Sequence, residues 1–142
     1  MAREAFPKVY LYRRIVYAKL FIDAHYAEKI DLDNIADEAF FSKFHFIRLF
    51  KSAYGKTPHH YLTQVRIDHA QTLLANGMSI MDAAFAVGFD SVTSFAGLFK
   101  RIVRMPPSVF QQGQQQRRAA LAASPLAFIP NCFAETHGWI HK

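Results

Sequence analysis

Hydrophobic residues recur every three or four positions along most of this chain, which is the spacing of one face of a helix. The best-defined case is the segment 57–76. Thr57 is a good N-cap residue, and Pro58 suits the first helical position because no backbone N–H is needed there. The pair Asn76-Gly77 tolerates the left-handed conformation that ends many helices. The pattern therefore predicts one long helix over 58–76.

The same pattern predicts further helices on both sides of this segment. They cover 13–28, 31–39 (short and acidic), 43–54, 80–87, 92–103 and 108–112 (also short). Ser42, Ser79 and Ser91 stand at the N-cap positions of three of them. We interpret residues 1–12 as an N-terminal arm and 114–142 as a polar hinge followed by a tail. Because no segment alternates apolar and polar residues as a strand does, we predict an all-α fold of about seven helices.

Two parts of the chain repeat one another at an offset of 49 residues. The matching positions are Ser42, Phe46, Leu49, Phe50, Lys51, Pro58 and Tyr61 in the first copy, and Ser91, Phe95, Leu98, Phe99, Lys100, Pro107 and Phe110 in the second. Each copy contains a short helix, a tight turn, a serine-capped helix and a proline-opened helix, as in a helix-turn-helix unit. The repeat predicts a first helix-turn-helix subdomain over 13–56, a linker helix over 57–76 and a second subdomain over 77–113.

The length of the linker helix suggests what the repeat is for. Nineteen residues rise about 28 Å in an α-helix, and successive major grooves on one face of B-DNA are about 34 Å apart. Two reading helices on either side of such a spacer could enter successive grooves from within one chain. A symmetric dimer achieves the same with two protomers, whereas one chain would read an asymmetric site.

The distribution of charge favours an anionic partner. The 142 residues carry a formal net charge of +6, and basic residues outnumber acidic ones ten to three within 42–118. A basic block of this kind is typical of proteins that bind nucleic acid. A helical adaptor that binds an acidic protein would show the same excess, so charge alone leaves both interpretations open.

Other classes of function find little support in the sequence. No apolar run reaches the roughly 20 residues of a membrane span, and no signal-peptide pattern opens the chain. The single cysteine, Cys132, fits a reducing compartment, so we expect a cytoplasmic protein. Cys132, His137 and His141 offer three metal ligands where structural zinc takes four, so we predict no metal site and no cofactor. No nucleophile–base pair or phosphate loop is present, and we predict that the protein is not an enzyme.

The spaced residues of both copies resemble the DNA-binding domain of the AraC/XylS family of bacterial transcription regulators. In the first copy they are Leu32, Ile35, Ala36, Ser42, Phe46, Arg48, Phe50, Lys51, Gly55, Thr57, Pro58, Tyr61, Arg66, Ile67 and Ala70. In the second they are Ile80, Ala83, Ala84, Val87, Gly88, Phe89, Ser91, Phe95, Phe99, Lys100, Arg101, Pro107 and Phe110. The resemblance covers about 15–112. Most members of the family carry a further sensing or dimerisation domain. The sequence shows no pattern for such a domain, so we expect the chain to be most similar to the small single-domain members, which bind DNA as monomers.

The resemblance implies two lobes whose second helices read duplex DNA. Carried over by position, the base-reading residues would be Phe44, Ile47 and Arg48 in the first lobe and Val92, Thr93, Ala96 and Gly97 in the second. The phosphate-binding residues would be Ser42, Lys43, Lys51, Ser91, Lys100, Arg101 and Arg104. Family activators often recruit RNA polymerase directly, which makes the polymerase a second expected partner.

Three departures from the family pattern bear on this expectation. Phe40 stands in the first turn where small residues are usual, and Arg104 and Pro106 stand where the pattern has glycine and serine. The second reading helix has no Arg, Gln or Asn at its reading positions, so bidentate base contacts are unavailable there. We expect Arg48 to supply most of the direct readout and the second helix to bind through the DNA backbone and shape. Because the second helix offers so few contacts for base readout, the alternative interpretation is a non-specific or architectural DNA-binding protein.

Several of these residues have a second interpretation. Phe44 and Ile47 could belong to the core, and Arg48 could be a solvent-exposed helix residue. Arg66, a weaker candidate for phosphate, could instead pair with Asp68 or with a helix end.

The last 19 residues are unusually apolar for a chain end. Their large apolar residues are Leu126, Phe128, Ile129, Phe133, Trp139 and Ile140. We expect this tail either to fold back on the domain or to form a protein contact site.

Overall fold

The computed structural model describes residues 2–33 and 42–123, with side chains from Val9 onward. These residues form six helices and no strand. The helices are α1 (Ala2–His25), α2 (Lys43–Tyr54), α3 (Pro58–Ala75), α4 (Ile80–Ala86), α5 (Val92–Val103) and α6 (Pro107–Ala123). The predicted all-α class is therefore confirmed. Most of the predicted acidic helix 31–39, including Ala36, lies outside the described residues, as do Phe40 and the tail 124–142.

Four helices begin at the N-caps that the sequence predicts. In each, the cap side-chain oxygen accepts a hydrogen bond from the backbone N–H three residues on, which satisfies one of the free donors of the first turn. The bonds join Ser42 to His45 (3.2 Å), Thr57 to His60 (3.2 Å), Ser79 to Asp82 (3.1 Å) and Ser91 to Ser94 (3.3 Å).

Two hydrophobic cores lie at opposite ends of α3, and they divide the molecule into two lobes. In the first lobe, α1 and α2 pack on the N-terminal half of α3 around Ile15, Ala18, Ile22, Phe46, Phe50 and Leu62. In the second lobe, α4, α5 and α6 pack on the C-terminal half of α3 around Ile67, Ala70, Leu74, Ala83, Ala84, Val87, Phe95 and Phe99. The repeat thus places equivalent phenylalanines, Phe46 with Phe95 and Phe50 with Phe99, at the centres of two separate cores.

The helices α2 and α5 end at equivalent positions in the same left-handed conformation. Gly55 ends α2 with φ +76°, and its N–H donates to Lys51 O over 2.7 Å. Arg104, 49 residues later, ends α5 with φ +72° and donates to Lys100 O over 2.9 Å. Arg104 therefore keeps the geometry that glycine has in the first lobe, although a Cβ makes this conformation unfavourable.

The N-terminal segment differs from the expectation. Residues 2–12, which we interpreted as an arm, form the first turns of α1. An interaction one turn apart supports this extension, since Arg14 Nε donates to the Tyr10 hydroxyl over 3.3 Å and its guanidinium lies 5.5 Å from the Tyr10 ring centroid.

The last helix is also longer than expected. We predicted a short helix ending near Gln112 and a hinge from 114, but α6 continues through Gly113 to Ala123. Two of its side chains bind the C-terminal end of α3. Gln111 Nε2 donates to Leu74 O (3.1 Å) and Met78 O (2.6 Å), and Arg118 donates to Ala75 O. These contacts join α6 to two carbonyls in the last turn of α3 and to one in the turn after it, so they stabilise the end of α3 and α6 together.

Candidate nucleic-acid interface

The outer face of α2 carries the residues predicted to read DNA in the first lobe. Because Phe46 and Phe50 are buried, the opposite side of the helix faces solvent. The Phe44 side chain is 75% exposed, which is unusual for a phenylalanine in a folded domain and excludes its assignment to the core. Arg48 is also exposed. Ile47 is half-buried and packs against the first core, so only part of its side chain is available to a partner.

The outer face of α5 is smaller and more apolar. Thr93 and Gly97 are exposed, whereas Val92 and Ala96 are half-buried, with Val92 packed against the second core. A Cβ added at Gly97 would meet nothing within 4 Å, so the packing of the protein does not require a glycine there. Because the side chains on this smooth outer face are small, a partner could approach the backbone of α5 closely.

Exposed cations surround both outer faces. They are Arg48 and Lys51 on α2, and Lys100, Arg101 and Arg104 at the end of α5. Within the described part of the chain, their side chains form no ion pair or hydrogen bond. An anion would therefore not have to displace a protein partner from these five groups.

Lys43, another predicted phosphate-binding cation, pairs with a carboxylate in the described part of the chain. Its Nζ lies 2.9 Å from Asp33 Oδ1, and both side chains are more than half exposed. An exposed ion pair contributes only about 0–1 kcal/mol. Lys43 could therefore leave Asp33 and bind a DNA phosphate at little cost in free energy.

Ser42 and Ser91 use their hydroxyl oxygens as helix caps. The O–H of each serine can still donate, and the free N–H groups of the first turn lie beside it. A phosphate near the start of α2 or α5 would therefore meet several donors and the positive end of the helix dipole.

One basic residue in the middle of the chain, Arg66, has a role within the fold. Arg66 donates to the backbone carbonyls of Tyr26 and Glu28 at the end of α1, so the helix-end interpretation is confirmed and the pairing with Asp68 is wrong. Asp68 instead accepts from Gln64 Nε2 over 2.8 Å.

The structure offers no metal site and no membrane-spanning helix in the residues it describes. No group of three or more potential ligands from His, Cys, Asp and Glu comes together there. None of the helices there is both long enough and apolar enough to cross a bilayer. The weak candidate ligands Cys132, His137 and His141 lie outside the described residues.

Comparison with known proteins agrees with this geometry. A family model described as a helix-turn-helix domain matches residues 35–113. The HTH-type transcriptional regulator ExsA of Pseudomonas aeruginosa is 33% identical over 108 residues, which cover 75% of this chain and 39% of that protein. The HTH-type transcriptional regulator YbfI of Bacillus subtilis is 39% identical over 69 residues, which cover 49% of this chain and 25% of that protein.

Solved structures show the same fold. The DNA-binding domain of AdpA, crystallised with a target DNA, superposes with a TM-score of 0.65 at 27% identity, over 78% of this chain and 96% of that domain. An AraC-type regulator from Chromobacterium violaceum superposes with a TM-score of 0.64 at 26% identity, over 73% of this chain and 94% of that chain.

The fold and these likenesses define a helix-turn-helix domain of the kind found in DNA-binding transcription regulators. The chain belongs to the AraC/XylS family. It spans only 25% of YbfI and 39% of ExsA, so most of each of these relatives has no counterpart here.

Proposed function

We propose that this chain is a sequence-specific regulator that inserts α2 and α5 into two successive major grooves on one face of duplex DNA. The observation that carries the proposal is the pair of serine-capped helices at the two ends of α3, each with exposed cations that have no partner among the described residues. At 18 residues, α3 is about 27 Å long. This length is close to the roughly 34 Å between successive major grooves.

The two lobes contribute unequally to recognition in this proposal. Arg48 can form a bidentate contact with guanine, which is worth about 1–3 kcal/mol of discrimination. Gly97 stands at the equivalent position of α5 and offers no donor. The second lobe binds through Lys100, Arg101 and Arg104 to phosphates, through the start of α5, and through methyl contacts from Val92, Thr93 and Ala96.

A selection from random duplexes tests groove reading and asymmetry together. We expect a site of about two helical turns with a strong base preference in one half and a weak preference in the other. Equal information content in both halves would contradict the assignment of α5. An absence of any enriched sequence would favour the architectural alternative, for which the smooth face of α5 is the supporting observation.

A salt titration tests whether the partner is a polyanion at all. We expect the logarithm of the association constant for duplex DNA to fall steeply and linearly with the logarithm of salt concentration. Weak or salt-independent binding at low ionic strength would favour a protein adaptor instead.

We further propose that the protein acts in the cytoplasm as a monomer on DNA and activates transcription through a contact with RNA polymerase. The presence of two reading helices in one chain supports the monomer, because no second protomer is needed to span two grooves. In vitro transcription from a promoter that carries the selected site tests the activation. Transcript levels that stay unchanged or fall when the protein is added would overturn the proposed activation.

A further inference from the structure

The C-terminal end of α1 lies between the two lobes. Tyr26, the residue after α1, packs against both hydrophobic cores. Its ring stacks on the ring of His69 from α3, with centroids 4.0 Å apart and planes 4° from parallel. A segment that belongs to the first lobe therefore also contacts the second.

Arg66 of α3 holds this segment by two hydrogen bonds. Its Nε donates to Tyr26 O over 2.7 Å, and one terminal nitrogen donates to Glu28 O over 2.9 Å. On its other side the guanidinium lies 5.7 Å from the ring centroid of Phe89, in the turn between α4 and α5. One side chain thus contacts the end of α1 and the turn of the second helix-turn-helix. Burial lowers the pKa of Arg66, and nearby Asp90 partly offsets this effect.

Gly88 completes the contact from the second lobe. Its φ is +98°, and a Cβ built on it would lie 3.0 Å from both Ala27 O and Tyr26 O. At Gly55 and Gly77, which also have positive φ, a Cβ would meet nothing within 4 Å. The turn after α4 is therefore packed directly on the backbone that follows α1. A Cβ at position 88 would strain the turn and press on this backbone, which would have to give way by a small distance.

We propose that Arg66, with Tyr26 and Gly88, forms a lock that fixes the orientation of α2 relative to α5. Through α3 alone, the lobes would be joined by a single helix, which sets their separation but can bend and twist. The lock adds a second connection away from the helix axis and removes that freedom. Arg66 is thus a positioning residue that makes the protein selective for the spacing between half-sites. This role rests on the proposed reading of two grooves.

Binding to duplexes of altered spacing tests the lock. The two halves of the selected site are moved closer or further apart by one and two base pairs, and each base pair rotates one half by about 35° relative to the other. We expect the native protein to show a sharp optimum. For Arg66→Met we expect a broad optimum, with affinity at the best spacing lowered about tenfold because the second lobe docks at a lower effective concentration. Affinity for the first half-site alone should stay unchanged.

Arg118→Met is the matched control. It also removes one arginine that donates to a backbone carbonyl, but its contacts lie between α6 and the end of α3, within the second lobe. It should keep the sharp spacing optimum of the native protein, because the contact between the lobes is intact. If the spacing profile of Arg66→Met is as sharp as that of the native protein, the lock is wrong while two-groove reading stands.

A distance measurement on the free protein tests the lock independently of DNA. Spin labels are placed on Ser52→Cys in α2 and Ser94→Cys in α5, both exposed, after Cys132→Ser. We expect a narrow distance distribution with Arg66 and a clearly broader one with Arg66→Met. If the native protein shows no spacing optimum on DNA, the proposed function fails, and the distance measurement then tests the lock by itself. A distance distribution of the same width in the native protein and in Arg66→Met would overturn the lock. If Arg66→Met does not fold, Gly88→Ala replaces it in both experiments with the same expectations.

Discussion

The helices α2 and α5 are alike on the sides that face the cores and different on the sides that face solvent. Their buried phenylalanines, serine caps and left-handed C-terminal residues stand at positions 49 residues apart. On the outer faces, Phe44, Ile47 and Arg48 in α2 correspond to Thr93, Ala96 and Gly97 in α5. Core packing and capping therefore maintain the helix-turn-helix unit in both lobes, whereas the outer faces that we propose to read DNA are free to differ.

The largest change in the free energy of unfolding is expected from substitutions in the two hydrophobic cores. Phe46→Ala should lower the free energy of unfolding by about 3–5 kcal/mol, because it removes a fully buried ring. Phe95→Ala, at the equivalent position, should cost a similar amount. Both values follow from urea unfolding monitored by circular dichroism.

Phe44→Ala is the control for the core prediction. The substitution has the same chemistry two residues away from Phe46, but the ring is 75% exposed, so the change should stay within about 0.5 kcal/mol. A large destabilisation by Phe44→Ala would show that this residue belongs to the protein interior and not to the reading face.

Arg48→Ala should relax specificity at one position in the site. We expect discrimination against the wrong base there to fall by about 1–3 kcal/mol, while preferences elsewhere in the site stay the same. Competition binding with single-base variants of the selected site measures this. Arg101→Ala removes the same charge and should weaken all sites alike, so unchanged site preference in Arg48→Ala would show that another residue reads that base.

Lys51 and Lys100 test the part of the comparison in which the lobes are alike. They stand at equivalent positions, are both exposed and have no ion-pair partner among the described residues. Each alanine variant should weaken binding to all sequences similarly and reduce the magnitude of the salt slope by about 0.9. A clearly larger effect in one lobe would show that the two lobes do not approach the DNA backbone in the same way.

The helix starts at 43, 58, 80 and 92 and the repeat of Phe46 and Phe50 at Phe95 and Phe99 could be predicted from sequence because they depend on local rules. A serine or threonine cap and the spacing of Phe46 and Phe50 are visible within a few residues. The full lengths of α1 and α6 could not be predicted in this way. Beyond the predicted end of α6, Gly113 weakens the local helix signal, although the glutamines, arginines and alanines that follow it favour a helix. Arg118, which binds the end of α3, adds a tertiary contact that a local pattern does not show.

The contact between the lobes was only partly visible in the sequence. The sequence offers a helix end as one partner for Arg66, but nothing nearby in the sequence indicates that this end is Tyr26 to Glu28, 38 to 40 residues earlier. Gly88 lies in the tight turn that the repeat predicts for the second copy. Its close approach to the backbone of residues 26 and 27 depends on how the lobes pack, which a local pattern does not encode.

The smallest change in stability is expected at Arg104. This residue ends α5 in the left-handed conformation that Gly55 adopts at the end of α2. Arg104→Gly should raise the free energy of unfolding by up to about 1 kcal/mol, because glycine adopts φ +72° without strain. It should also weaken DNA binding if this exposed guanidinium contacts a phosphate. Arg104→Ala separates the two effects, since it removes the charge and keeps the strain. We expect both variants to lose the same DNA affinity and only the glycine variant to gain stability. Equal stability of the two variants would show that the left-handed conformation at this position costs the protein nothing, and that the arginine departs from the pattern of the first lobe without penalty.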